Sequence, residues 1–328
     1  MSDDVVIALD VGGTGMKCAL VRPDGMVHHA ERHPTLAARG PEAVTANILD
    51  IAAGLADRAR ADGLTPVAAG VVVPGVVDEE TGVAVWSSNV GFRDVPLRDL
   101  VSAKLGVPAA LGHDVRAGGM AEARLGAGRG ERHVLFIAIG TGIAAAHVVD
   151  GKAFAGAHGA AGEVGHVIVR PGGPPCGCGA RGCLESVASA SAIGRRYAEL
   201  SGTADAAAFD VAARAAAGEP LATAVWRDAL EALADGLLTA QALYDAGMIV
   251  LGGGLAEAGE ALLAPLRTAL DQRVTFHRLP ALTRAGLGDT AGCLGAALLA
   301  LDSLEAASAG RDHSPAANSV ARDRETPA

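Results

Sequence analysis

Short, mostly unbroken apolar runs set the rhythm of the first half of the chain. Val5 to Leu9, Cys18 to Val21, Ala68 to Val73, Val107 to Leu111, His133 to Ile139 and Ile143 to Val149 each predict a strand, as does Met248 to Leu251 later on. Between 42 and 61, Val44, Ile48, Ile51 and Leu55 recur at helical spacing and predict an amphipathic helix. Ala117 to Leu125 predicts another, and the turn-rich segment Asp78 to Gly82 leads into a short strand. Beyond 187 the pattern turns helical: Val187 to Leu200, Ala206 to Ala217, Leu221 to Tyr244 and about Glu257 to Arg273. A last apolar helix, opened by G-L-G-D-T-A-G, runs through Leu301. Residues 304–328, rich in Ala, Ser, Pro and charge, predict a disordered tail. Strand, glycine turn and strand occur twice, which suggests an internal duplication.

Composition narrows this picture. A chain of 328 residues can bury a sizeable core, and its size suggests two domains or one bilobed unit. Hydrophobic residues make up 50% but aromatics only 3%, so the core must be built from Ala, Val and Leu. With 27 basic against 37 acidic residues the net charge is −10, which argues against a nucleic-acid surface. No apolar run approaches the length of a membrane span, and the acidic start Ser2-Asp3-Asp4 is unlike a secretory signal. An odd, clustered cysteine count fits a reducing compartment and a metal better than a disulfide framework. These features predict a soluble, cytoplasmic protein.

Chemistry concentrates at the turns. Asp10 opens D-V-G-G-T-G-M-K, where Gly12 and Gly13 let the backbone approach an anion and Thr14 and Lys17 offer a hydroxyl and a charge. The spacing fits neither the Walker loop nor the dinucleotide motif, and on its own a Gly-Gly hairpin is as readily a plain turn. Gly140-Thr141-Gly142 repeats the arrangement, and Gly252-Gly253-Gly254 follows a third strand. Asp114 falls where a strand ends and a helix begins, a place that faces a cleft in α/β folds but also suits a helix cap. Asn89 sits in the polar loop S-S-N-V-G-F and reads equally as turn chemistry. Three of the five cysteines, Cys176, Cys178 and Cys183, crowd a Gly/Pro-rich loop ten residues after His166. Four such ligands suit tetrahedral zinc; the plainer alternative is three thiols buried in one loop. Glu163 and Glu185 bracket that loop, so a metal there would fix both acids.

Taken in order, these segments resemble the ROK family (repressors, open reading frames and sugar kinases). D-V-G-G-T-G-M-K resembles its first phosphate motif, I-G-T-G the second, and L-G-G-G the segment bordering the adenosine. P-G-V-V-D, S-S-N-V-G-F, the H-D pair, G-E-V-G-H and C-x-C-G-x-x-G-C-x-E follow the family order over roughly residues 5 to 302. The resemblance implies an α/β, actin-like ATPase (RNase H-like) fold, with two related α/β domains around a nucleotide and sugar cleft. Residues 1–113 with about 291–303 would form the N-terminal domain, and 114–290, with the zinc loop 166–183, the C-terminal one.

The resemblance also implies roles. Asp114 would be the catalytic base. Asn89, His113, Asp114, Glu163, His166 and Glu185 would hold the sugar. Asp10, Gly12, Gly13, Thr14, Lys17, Gly140, Thr141, Gly142, Gly253 and Gly254 would serve ATP and its Mg2+. His166, Cys176, Cys178 and Cys183 would hold a structural Zn2+. Two departures stand out: His113 replaces the usual asparagine before the base, with Val115 and Arg116 where Ala and Asn are usual, and Ala144 to Ala146 follow the second phosphate motif. A histidine beside Asp114 could donate to that carboxylate and alter how the ring is gripped. The expected activity is ATP-dependent phosphorylation of the 6-hydroxyl of glucose or a close relative, by a homo-oligomer (dimer or tetramer). The alternatives are a kinase for an amino sugar (N-acetylmannosamine, N-acetylglucosamine or an amino-substituted glucose such as kanosamine) and a sugar-sensing regulator without catalysis. Regulators of the family carry a DNA-binding domain before the first motif, and here that motif begins within ten residues of Met1.

Overall fold

The first apolar run becomes β1 (Asp4–Val11), and the glycine turn sends the chain back as β2 (Gly15–Val21) and again as β3 (Val27–Pro34). After α1 (Pro41–Ala61) come β4 (Thr65–Val73) and a small meander of β5 (Val76–Asp78), β6 (Val83–Ser87) and β7 (Phe92–Val95). Then follow α2 (Leu97–Leu105), β8 (Ala109–His113) and α3 (Asp114–Arg124). A second set opens with β9 (His133–Ile139), β10 (Ile143–Val149) and β11 (Lys152–Ala153). It continues through α4 (Leu184–Ala188), α5 (Ala190–Ser201), α6 (Ala208–Ala216), α7 (Pro220–Tyr244), β12 (Met248–Gly252), α8 (Glu260–Asp271) and β13 (Ala281–Arg284). Helix α9 (Ala291–Asp312) closes the chain in this computed structural model, which describes residues 3–312.

The two five-stranded sheets have the same topology. The first runs β3-β2-β1-β4-β8 and the second β11-β10-β9-β12-β13. In each, the first three strands pair antiparallel and the last two join parallel. The duplication read from the glycine turns is therefore a duplication of the whole sheet.

Strand periodicity sorts the core into layers. In β1, Val5, Ile7 and Leu9 pack outward against α1 and α2, while Val6 and Ala8 pack inward against α3 and α9. In β9, Leu135, Ile137 and Ile139 face α4 to α8, and Val134 and Phe136 face α3. Helices α3 and α9 thus lie between the sheets. That inner layer is rich in small residues, Ala68, Ala110, Ala117, Ala121, Ala296 and Ala297, with Met120, Leu294 and Leu298 among them. A methyl added at Gly70 would strike the Ala296 carbonyl, overpacking that costs about 1–3 kcal/mol.

Four expectations need correction. The helix read from 187 to 200 is two helices, because the Ser189 side chain accepts the Ala192 N–H at 3.1 Å and caps α5. The helix read from Glu257 begins at Glu260, after a 3-10 turn over Gly254–Ala258 and a Gly259 with φ 57°. Residues 304–312 of the expected tail are helical: Leu304 packs on the inner core and Arg124 grips the Asp302 carboxylate at 2.8 Å. Residues 313–328 of that expectation lie outside the described residues. The stretch Gly288–Ser308, with mean hydropathy 1.3, is also long and apolar enough to cross a bilayer, contrary to the reading of the bare sequence. Its residues Leu294, Ala296, Ala297, Leu298 and Ala300 are buried against the first sheet and α3, so its hydrophobicity serves the core.

Candidate active site

A cleft of about 680 Å³ opens between the two sheets. Of the residues singled out from the sequence, Asp10, Lys17, Asp114, Gly253 and Gly254 line it. Asp114 arrives there because β8 ends at His113 and α3 starts one residue later. Its Oδ1 accepts the Val115 N–H at 2.7 Å. Burial pushes the carboxyl above the usual range, opposed by the Val115 N–H and by Arg116.

Asp10 ends the inward face of β1, with Lys17 directly opposite in register on β2. Lys17 Nζ lies 3.9 Å from Asp10 and 3.2 Å from Asp289, whose other oxygen pairs with Arg32. Burial raises the Asp10 carboxyl to about 6; Lys17 opposes this, while Asp114 and Asp289 add to it. Three carboxylates thus converge on one end of the cleft. Oxygen donors of this kind suit a hard divalent cation.

A pH dependence follows. The protonated Asp10 carboxyl contributes stability that is fully present below its unfolded value of 3.8 and is lost as pH rises through about 6. We expect the melting temperature of the wild type to fall over that window relative to Asp10→Asn, which has no proton to lose. Parallel profiles for the two proteins would contradict the assignment.

The glycine hairpins have backbone to spare. In the first, Gly12 donates to the Gly15 carbonyl at 2.9 Å, and buried Thr35 braces the turn through its hydroxyl to Gly12 (2.6 Å) and its N–H to Thr14 (3.1 Å). In the second, Gly140 donates to the Gly142 carbonyl at 2.9 Å, and the Gly140 and Thr141 carbonyls are held by Ala190 and Ser191. Among the described residues, the N–H groups of Gly13, Thr14, Thr141 and Gly142 have no partner in the protein, as an anion cradle requires. Neither hairpin lines the large cleft itself. At Gly253 the need for glycine is strict: φ is 78°, and a Cβ would lie 2.5 Å from the Ile139 carbonyl oxygen.

The remaining candidates form two groups. Asn89 is exposed beside the first hairpin, where a Cβ on Gly13 would stand 3.3 Å from its own Cβ. Glu163, His166 and Glu185 gather around the start of β10. Ala145 donates to Gly162 at 2.7 Å, His166 Nε2 lies 3.7 Å from Glu163, and the Ile143 N–H donates to Glu185 at 2.9 Å. Glu185 thereby braces the second hairpin, and it faces a smaller cavity of about 290 Å³ with Thr141, Ser189 and Arg195.

His113 is buried and neutral: burial, then Arg116, depress its ring to about 4, against an upward pull from Glu79. Its Nδ1 accepts the Arg116 N–H at 3.4 Å as the cap of α3, which places the ring proton on Nε2. The expected donation from His113 to Asp114 is therefore corrected. Nδ1 stands 3.4 Å from the carboxylate but holds the turn as an acceptor.

At the cysteine loop, the donor atoms of His166, Cys176, Cys178 and Cys183 all lie within 4.8 Å of one another. Cys176 Sγ is 3.6 Å from His166 Nδ1, and Cys178 Sγ is 3.7 Å from Cys183 Sγ. Tetrahedral zinc with its usual bond lengths sets ligand atoms about 3.4–3.8 Å apart, so the donor set fits that ion.

Several cleft residues went unread in the sequence. Asp289 and Gly292 lie in G-L-G-D-T-A-G, whose glycines carry the same signal as the other turns; a Cβ on Gly292 would collide with the Asp10 carboxylate. Glu122, 0% exposed on α3, accepts the N–H groups of Ala127 (2.9 Å), Gly286 (3.0 Å) and Leu287 (2.8 Å). Nothing in its sequence neighbourhood marks it.

The ROK family model matches residues 6–303. The glucokinase of Thermotoga maritima is 33% identical over 315 residues, covering 89% of this chain and 96% of that protein. The N-acetylmannosamine kinase of Citrobacter koseri is 31% identical over 295 residues, covering 90% and 98%. Among solved structures, a ROK family glucokinase from Streptomyces griseus in complex with glucose and AMPPNP superposes with a TM-score of 0.77. It is 28% identical, over 91% of this chain and 99% of that one.

Proposed function

This chain belongs to the ROK family, and we propose that it is an ATP-dependent kinase acting on the 6-hydroxyl of glucose or a close relative. The observation that carries the reading is Asp114, a buried carboxylate with raised proton affinity at the mouth of α3, facing a cleft shared with Asp10, Lys17 and the Gly253-Gly254 turn. Phosphoryl transfer forms a bond from the sugar oxygen to the terminal phosphorus and breaks the bond to the bridging oxygen. The hydroxyl proton passes to Asp114. The N–H groups of the two glycine hairpins would hold the phosphates, and Gly253 and Gly254 would border the adenosine. Asp10 and Asp289 would hold Mg2+, which when bound neutralises phosphate charge. Asn89, His113, Glu163, His166 and Glu185 would position the sugar. His166, Cys176, Cys178 and Cys183 would hold Zn2+, with no open position for chemistry. The domain boundary belongs between His113 and Asp114, where β8 gives way to the inter-sheet helix.

The similarity to an N-acetylmannosamine kinase supports a second reading, an amino-sugar substrate. One assay separates the two: ADP release with glucose, mannose, N-acetylglucosamine, N-acetylmannosamine and 3-amino-3-deoxyglucose. Glucose should give the highest kcat/KM. A larger value for an amino sugar favours the second reading, and no sugar-dependent release with any of them overturns both.

Glu122 gives a separate expectation. Whichever way a glutamine turns at that position, its NH2 group meets a backbone N–H, which costs about 1–3 kcal/mol in a buried site. The loop it holds carries Gly288 and Asp289 of the cleft. Glu122→Gln should raise the KM for ATP by on the order of tenfold and leave the KM for sugar unchanged. Steady-state kinetics with each substrate varied in turn will check this.

A further inference from the structure

Arg116 was notable in the sequence only as a departure from the family pattern. In the structure its side chain is 4% exposed, and its guanidinium reaches two separate segments. Nε and Nη2 donate to Glu79 Oε1 at 3.0 and 2.8 Å, and Nη1 donates to the Gly159 carbonyl at 2.8 Å. The backbone N–H of His113 donates to the same Glu79 oxygen at 3.4 Å. Glu79 stands in the β5–β6 turn, and β6 leads directly into the loop that carries Asn89. Gly159 stands four residues before Glu163, and its segment is seated on β5: a Cβ there would lie 2.9 Å from the Val77 carbonyl oxygen. One buried cation therefore joins the turn bearing Asp114, the hairpin leading to Asn89 and the segment leading to Glu163.

We propose that Arg116 and Glu79 form a latch that sets sugar affinity and selectivity by fixing these three segments relative to one another. The inference rests on the sugar-kinase reading. Neither residue touches the reacting atoms; Arg116 is a positioning residue. The chemistry demands this pairing. A guanidinium offers a planar fork to one carboxylate oxygen and a third N–H to a carbonyl, whereas lysine is a point charge that serves one partner at a time. A buried ion pair stripped of one member leaves an unpaired charge and strains whatever it held.

The test uses Arg116→Met, Glu79→Gln, the double variant and Arg116→Lys, which keeps the charge should Arg116→Met fail to fold. Each single change should raise the KM for the preferred sugar on the order of tenfold, with the KM for ATP within about twofold of wild type and kcat less affected. Arg116→Lys should fall between. The double variant should lose less than the product of the two single losses, as expected of partners in contact. Amide hydrogen exchange on the free proteins should accelerate in residues 76–87 and 154–163 together. Equal shifts in both KM values, multiplicative losses, or faster exchange confined to α3 would each overturn the latch. The exchange result needs no substrate. If the wild type phosphorylates no sugar, the functional reading fails while exchange still decides whether the latch exists.

Discussion

Asp114→Asn should lower kcat by on the order of a hundredfold or more, about 3 kcal/mol of transition-state stabilisation, and change sugar binding less. The substitution is nearly isosteric. Asparagine Oδ1 can still accept the Val115 N–H that Asp114 holds at 2.7 Å, so the start of α3 keeps its geometry. What would be lost, on the proposed reading, is the acceptor for the sugar proton. Burial raises the affinity of Asp114 for that proton, and the nearby Asp10 carboxylate keeps company with Lys17 instead. Rapid-quench measurement of the ADP formed in the first turnover isolates the chemical step. If the variant turns over within a few-fold of wild type, Asp114 does no more than begin a helix.

Purified protein should carry one zinc per chain, and stripping it should abolish activity without unfolding the molecule. The second half of that expectation comes from how the loop is anchored. Leu184 donates to the Val167 carbonyl at 2.9 Å and Val169 to the Gly182 carbonyl at 2.9 Å, and Cys183 sits fully buried at the start of α4. The two ends therefore remain tied to each other, with Cys183 in the core, unlike a free zinc finger whose whole fold depends on the ion. Between those ties, Cys176 and Cys178 lie in a Gly/Pro loop with little apolar burial of its own. Loosening it should free His166, and with it Glu163, 3.7 Å away, while Glu185 stands only two residues beyond Cys183 on α4. Activity should fall at least about a hundredfold after chelation, return on adding zinc, and leave the far-ultraviolet circular dichroism nearly unchanged. Elemental analysis finding no zinc in an active, folded preparation would sink the idea.

Much of the strand framework was legible because buried strands are runs of apolar residues, and the glycine turns are where those runs reverse. β9 and β10 follow the expected limits to the residue. β3 could not be read: Val27–Pro34 alternates half-buried with exposed positions and includes no buried residue, so it is a strand only because β2 offers it an edge. α2 carries its signal in Leu97, Val101 and Leu105, which repeat at helical spacing. In the site, Asp114 was legible from its place between a strand and a helix. The bonds from Arg116 to Glu79 and from Glu122 to Gly286 were not, because they join residues far apart in sequence, and no local pattern encodes such a pairing.

The layer of small residues shared by α3 and α9 bears on how the protein comes apart. Each sheet keeps its large Ile and Leu side chains on the far face, against its own helices. A buried Leu or Ile contributes about 1.5–3 kcal/mol and a methyl or methylene about 0.8 kcal/mol, so the lobes are bound more tightly within themselves than to each other. The free chain should then unfold as two semi-autonomous cooperative units with separable calorimetric transitions, for which a single unfolding free energy is not defined. A nucleotide gripped by a hairpin from each sheet would add its binding energy to the seam alone, and would merge the two transitions into one.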